Sequence, residues 1–492
     1  MKVKINKIMV LITGLMLLSI VGIQSGCEDH DPINADGLTG PANGSTDNEP
    51  PETYLSVSLS PGQLPDTTTS WKTMNWWGED PDGRIESYRY RWGQLIDTTI
   101  VWYDTLWNEV SDTSWTDTND ETAAFILPIR TLYANFIFQV RAVDNSNAID
   151  PEPASVQFPI VNSPPTIAFR DGANPVDPNQ GQFVTFPVRS FVWDATDPDG
   201  NESIDKVSYV LDPVPGDTTW IEIPGGENSL TLVSEDLAAG EHTIFFKVSD
   251  VAGLESPYIR FPDPDNAGDP SSWLVKEPQG DYLIIDDYAL DSNNDKLEFY
   301  TAIFDSIIGE AEVDYSIWEL GTQLPYVTQD VTETLLMFKK VLLYSHFGTP
   351  LISRAFSSVS TFLSQPDNQL LITTAYLDTN MYSGMADSIY IYSNRMSGTE
   401  EDPILMQPVD DPLMPEIEVQ NAVLYSVRAF IPSPGVDVIY KLDPSTRANP
   451  VYEGEPIIGL RRPDRKYTLI SIPLYETVDR SKVTQIIQNT FD

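Results

Sequence analysis

Two pairs of polar residues directly follow short apolar runs. Asp286-Asp287 comes after Tyr282-Leu283-Ile284-Ile285, and Ser345-His346 comes at the end of Val341-Leu342-Leu343-Tyr344. Ligands of open α/β sheets bind at the carboxyl ends of strands. Carboxylates placed there are candidates for a metal or polar-ligand site, and a serine with a histidine is a candidate for hydrolysis. The same acids also serve as ordinary helix caps. Ser345 and His346 are neighbours on one strand, so they face opposite sides and do not pair with each other. No Gly-x-Ser-x-Gly elbow is present.

A second set of acids lies in turns. Asp80-Pro81-Asp82-Gly83 and Asp197-Pro198-Asp199-Gly200 each separate an aromatic strand from an alternating one. Proline fixes φ, aspartate bonds the nearby backbone and glycine accepts positive φ, so the turn reading is direct. Asp80, Asp82, Asp197 and Asp199 also offer hard oxygen ligands, with Asp144 or Asp250 able to add more. Calcium is therefore the one cofactor the sequence suggests, although neither turn has the full spacing of a calcium loop. Three scattered histidines and one cysteine form no transition-metal cluster.

That cysteine is Cys27. It follows a basic start (Lys2, Lys4, Lys7), an uncharged run from Ile8 to Ile23, and the small residues Ser25-Gly26. The run is shorter than the roughly 20 apolar residues a membrane span needs and suits a signal-peptide core. The segment resembles the lipobox of bacterial lipoproteins, which implies cleavage and acylation of Cys27. Several acyl chains give stable anchoring. The acids after Cys27 resemble export signals of surface lipoproteins. The expected location is the outer membrane or cell surface, with the membrane reached through the lipid.

The formal charge is −44, with a sequence pI near 4.1. Such a surface repels phosphate backbones, which excludes nucleic-acid binding. The 41% apolar content supports real cores.

Trp76 to Trp92 and Val192 to Leu211 look like copies of one another, each an aromatic strand, the acidic turn and an alternating strand. The copies end alike, at Phe136–Asn145 and Thr243–Asp250. About seven short strands per 100 residues is sandwich arithmetic, and Trp76-Trp77 are expected in its core. The segments resemble fibronectin type III and related immunoglobulin-like modules, which implies spacing, presentation or binding of a protein or glycan ligand.

From Tyr282 onward strands alternate with helices, expected at 295–308, 331–338, 352–363 and 481–490. This implies a parallel, doubly wound sheet. The region resembles a divergent class I glutamine amidotransferase-like domain, most clearly in Pro456–Arg461 and Tyr467–Tyr475. That resemblance implies a cysteine in a glycine-flanked elbow after a central strand, with a later histidine. Here Leu370–Thr374 runs into Ala375-Tyr376-Leu377-Asp378, and no histidine follows His346, so the triad is missing.

The expected chain is multidomain: two all-β sandwiches followed by an α/β doubly wound domain. Its parts are a signal peptide (1–26), a tether (27–52), sandwiches (53–162 and 163–265) and the α/β domain (275–492). The leading expectation is a non-enzymatic, lipid-anchored binding or scaffolding protein. The alternatives are a secreted hydrolase using Asp286, Asp287, Ser345 and His346, and a calcium- or glycan-binding adhesin.

Overall fold

The computed structural model describes residues 48–58, 71–170, 183–214, 216, 219–266, 269–288, 294–321, 324–345, 348–419, 423–443 and 450–492. The chain divides into two compact units: Met1–Pro128 with Tyr133–Val161, and Ile129–Leu132 with Asn162–Asp492.

The first unit pairs two sheets. One contains β1 (Glu52–Ser58), β2 (Trp71–Glu79) and β7 (Thr122–Ile126). The other runs β5-β4-β3-β8-β9, with β3 Ile85–Ile96, β4 Thr99–Tyr103, β5 Glu109–Val110, β8 Tyr133–Asp144 and β9 Ala154–Val161; β6 (Thr116–Thr118) also pairs with β3. Period-two alternation sorts the side chains. On β8, Ala134, Phe136, Phe138 and Val140 are buried, and on β2 so are Met74 and Trp76. Trp92 lies opposite Phe138 with ring centroids 4.8 Å apart. Each such ring contributes roughly 2–3 kcal/mol of burial. The same alternation corrects one expectation: Trp76 is core, whereas Trp77 is 45% exposed and stacks on its cross-strand partner Tyr54. Elsewhere in this unit Arg141, Trp115, Arg91 and Trp102 form a ladder. The guanidinium of Arg141 lies 3.9 Å from the Trp115 ring, and that of Arg91 lies between Trp115 (4.2 Å) and Trp102 (3.7 Å).

The second unit begins with a second sandwich. Its sheets are β10-β12-β15 (Thr166–Phe169, Arg189–Thr196, Ser229–Leu232) and β14-β13-β17-β18 (Ile221–Pro224, Ile204–Leu211, Ile244–Asp250, Ile259–Phe261). A third small sheet joins β11 (Val184–Thr185), β19 (Trp273–Val275) and β16 (Gly240–His242). Phe191, Trp193, Phe246 and Trp273 are buried in one core. Trp273 thus extends this core beyond residue 265.

The rest of the unit is built on nine strands in the order β21-β20-β22-β23-β30-β29-β28-β25-β26. β20 (Tyr282–Asp286), β21 (Ser316–Glu319), β22 (Lys340–Tyr344), β23 (Gln369–Thr373) and β30 (Tyr467–Ile470) are parallel. β29 (Ile457–Arg461), β28 (Asp437–Leu442), β25 (Ile404–Pro408) and β26 (Ile417–Val419) extend the sheet antiparallel. The sheet is therefore mixed, because no helical crossover separates β28, β29 and β30.

Adjacent residues of one strand feed two cores. Ile284, Leu342 and Leu371 pack against α1 (Asp295–Ile307) and α5 (Arg480–Phe491). Leu283, Ile285, Leu343 and Ile372 pack against α2 (Thr328–Leu336) and α3 (Phe356–Ser364). The short α4 (Thr379–Tyr382) follows β23. β27 (Val423–Pro432) does not join the sheet. It pairs with β24 (Ala386–Ser397), a strand whose half-polar sequence hid it.

The second sandwich and the mixed sheet share a buried polar link. Asp330 on α2 accepts the Ser190 N–H at 3.0 Å and its hydroxyl at 2.5 Å. Next to them Arg189 is buried with its guanidinium 4.1 Å from the Phe261 ring, and burial pushes its pKa down to about 10. Burial likewise raises the Asp330 pKa. Removing the acid strands the Ser190 N–H and takes the counter-charge from buried Arg189, while the Ser190 hydroxyl keeps Thr231 Oγ1 at 2.7 Å, so we predict that Asp330→Ala destabilises this unit by about 3 kcal/mol. Asp330→Asn should do less harm. Urea midpoints of full-length variants check this, and an unchanged Asp330→Ala midpoint would refute the link.

Candidate functional site

The chain leaves β20 through α1 to reach β21 on one side, and leaves β22 through α3 to reach β23 on the other. The point between β20 and β22 is a topological switch, where open sheets place their ligands. Asp286 ends β20 and Asp287 follows it; Ser345 follows β22. The Asp287 N–H donates to the Tyr344 carbonyl at 3.1 Å. The fold thus brings Asp286, Asp287 and Ser345 to one end of two adjacent strands. His346 lies outside the described residues.

The backbone occupies these acids. Asp286 Oδ1 accepts the Tyr288 N–H at 2.9 Å. Asp287 Oδ2 faces the Ile352 N–H at 3.4 Å, in the 3-10 turn Leu351–Ala355 that leads into α3. Burial pushes the Asp287 carboxyl up to about 7, with the neighbouring Asp286 charge adding to it; the Ile352 and Leu351 N–H groups and Arg354 pull the other way.

Nearby strand ends are similarly closed. Thr373 Oγ1 donates to the Ile472 carbonyl and accepts the Leu474 N–H, both at 2.8 Å. Arg428 Nη1 donates to the Ala375 carbonyl at 2.8 Å and lies 4.8 Å from the Tyr376 ring. No residue from Thr374 to Leu377 has left-handed backbone, so the strained nucleophile elbow is not formed here. Sequence reading missed Arg428 and Arg354, since both are distant in the chain from the acids and belong to no local motif.

The acidic turns do parallel work in the two sandwiches. In the first, Asp82 Oδ2 accepts the Glu49 N–H at 3.2 Å, and Asn48 Nδ2 donates to Asp144 Oδ2. In the second, Asp199 Oδ2 accepts the Ser163 N–H at 2.6 Å, and Asn162 Nδ2 donates to Asp250 Oδ2 at 2.6 Å. Each turn is closed internally: Asp80 Oδ1 accepts the Asp82 N–H and Asp197 Oδ1 that of Asp199. A Cβ at Gly83 would lie 2.5 Å from Asp80 Oδ2 and from Asn145 Oδ1, so this position needs glycine. The signal for these clamps was the repeated Asn-x-Pro-Pro at Asn48–Pro51 and Asn162–Pro165.

Burial and neighbouring carboxylates raise the pKa of Asp80 and Asp197. Among the described residues, no group of three or more His, Cys, Asp or Glu side chains is arranged to hold a metal ion. The calcium expectation for Asp80, Asp82, Asp197 and Asp199 thus meets a geometry in which several of their oxygens already accept backbone N–H groups. Cys27 lies outside the described residues. No helix among them is long and apolar enough to cross a membrane.

No protein-family model matches the chain. No curated protein matches it either. Similar solved structures contain fibronectin type III domains or receptor segments. A two-domain fibronectin type III segment of chicken tenascin is 17% identical, covering 44% of this chain and 97% of that one, with a TM-score of 0.20. The first three fibronectin domains of chicken CNTN1 are 11% identical over 47% and 68%, TM-score 0.20. The chicken interferon gamma receptor alpha chain is 10% identical over 46% and 98%, TM-score 0.18. The sandwich assignment rests on the strand pairing described above.

The Asp287 carboxyl gives a pH test. Its folded pKa lies above the unfolded value near 3.9, so the native state keeps a proton that the unfolded state releases. Stability should fall as pH rises from about 4 to 7 and level off above. Asp287→Asn should flatten that slope and gain roughly 2 kcal/mol over the native chain at pH 8. Urea denaturation at pH 5 and pH 8 measures both; equal slopes in the two proteins would refute the assignment.

Proposed function

We propose that this chain is an exported, lipid-anchored binding or scaffolding protein, with two fibronectin type III-like modules carrying a doubly wound, amidotransferase-like domain that performs no triad chemistry. The observation that carries the reading is the use of Asp287 at the switch point. Its carboxylate is directed at the Ile352 N–H that starts the 3-10 turn, and β23 ends without an elbow. A crevice whose acids serve its own backbone suits a retained scaffold better than a hydrolase. The basic start, the uncharged run and Ser25-Gly26-Cys27 support the anchor. The ligand class is a protein or glycan on the outer side of a membrane, and the acidic surface disfavours anionic partners.

Intact-mass analysis and protease shaving of native cells test the anchor. A mature chain starting at acylated Cys27 and removed by external protease is the expected result. An unmodified chain that resists shaving would refute surface anchoring. Loss of a measured hydrolytic activity on Asp286→Asn would instead favour the hydrolase.

One observation favours calcium as a second reading. The Asn162 side-chain carbonyl oxygen is buried without a hydrogen-bond donor, beside the Asp250 carboxylate that its amide contacts. Under the clamp reading, millimolar calcium should leave the melting temperature unchanged. A calcium-dependent rise that disappears in Asp199→Asn would assign the turns to the ion.

A further inference from the structure

The first unit contains a concave site that none of the chemistry above uses. It is a groove of about 370 Å³ between β3, β6, β7 and the loop joining β4 to β5, and its walls include Tyr90, Trp92, Tyr103, Trp107 and Phe125. The rings are not parallel. Tyr103 and Trp107 meet at 53° with centroids 5.9 Å apart, and Trp92 and Trp107 at 46° and 6.1 Å.

The loop is held in a fixed shape. Asp104 Oδ1 accepts the N–H groups of Leu106 at 2.9 Å and Asn108 at 2.8 Å, and the Asp104 N–H donates to the Asn108 carbonyl at 3.0 Å. Within it Trp107 has φ of 62°, a left-handed backbone rarely seen for a bulky residue. Such strain persists where the surroundings over-determine it, and it clusters at binding sites.

Charge narrows the ligand. The lining holds two charged residues, Arg91 and Asp104. The Arg91 guanidinium is stacked against Trp102 and Trp115 and donates to Gln139 Oε1 at 2.9 and 2.7 Å. Asp104 keeps its negative charge, since the Asn108 side chain and the loop N–H groups hold its carboxyl below the usual range. Ring faces are negative, and an anion would face both Asp104 and a chain of charge −44. The volume lies at the low end of small-ligand sites and is too small to seat a folded partner.

We propose that this groove binds a small, free organic cation carrying an alkylated ammonium group, with Trp107 and Tyr103 as its aromatic walls and Asp104 as its counter-charge. The groove belongs to the first unit and the strand-end crevice to the second, and the proposal does not depend on how the chain is anchored.

Calorimetric titration of the full chain with choline chloride tests this, against its neutral isostere 3,3-dimethylbutan-1-ol at matched ionic strength. Saturable choline binding, with the alcohol about tenfold weaker, is expected. Trp107→Gly accommodates the left-handed backbone and should abolish binding, while the loss of its ring contacts with Trp92, Tyr103 and Phe136 lowers the melting temperature without unfolding the unit; Asp104→Asn should weaken binding several-fold. Equal binding of the alcohol would reassign the groove to apolar filling and overturn the proposal. So would the absence of saturation, or binding of maltose or phosphatidylcholine vesicles in place of free choline. The choline-to-alcohol ratio uses the unaltered protein, so a variant that fails to fold leaves the test intact.

Discussion

Main-chain N–H groups in compact regions need acceptors, and this protein supplies many of them with aspartate. Asp82 and Asp199 accept N–H groups of the segments entering each sandwich, and Asp287 faces the start of the turn before α3. Asp330 takes an N–H of the second sandwich, and Asp212 takes that of Thr243 while its other oxygen lies 2.6 Å from His242 Nδ1. A carboxylate offers more lone pairs than an amide or hydroxyl and binds N–H groups more strongly. Part of the high acid content is therefore architectural. The same groups that suggest chemistry in one dimension act as fasteners in three.

The reach of sequence reasoning follows from this. Local patterns were legible. Asp-Pro-Asp-Gly fixed two turns, alternation marked β8 and β17, and the apolar spacing of Leu297, Tyr300, Ile303 and Phe304 marked α1. The strand-end position of Asp286, Asp287 and Ser345 was also readable, since it depends only on where apolar runs stop. Long-range partners were not. Ile352 lies 65 residues from Asp287, and Ser190 lies 140 from Asp330. The β24–β27 pair was half hidden because β24 mixes exposed and buried positions without a clean period. Trp107 carried no local signal, because its role comes from a left-handed backbone and from rings on other strands.

The sandwiches show how one template accepts different additions. Both keep the Asn–Asp contact and the N–H clamp on the entering segment. The first adds its arginine–tryptophan ladder, in which each guanidinium lies over an indole face. The second buries Arg189 against Phe261 instead, close to Asp330. Cations are scarce in this chain, 29 against 73 acids. Several of the arginines are held on aromatic faces, where their apolar stems and flat heads both find contact.

The nine-stranded sheet ends on short members, four residues in β21 and three in β26. A sheet edge is a template on which another chain can add hydrogen bonds, and its capacity grows with its unpaired length. Short borders leave little backbone for a neighbouring copy to zip onto, while the strongly apolar strands β20, β22 and β23, of five residues each, are shielded on both sides. Borders this short, together with mutual repulsion between copies of charge −44, oppose edge-to-edge association of a wide, aliphatic sheet.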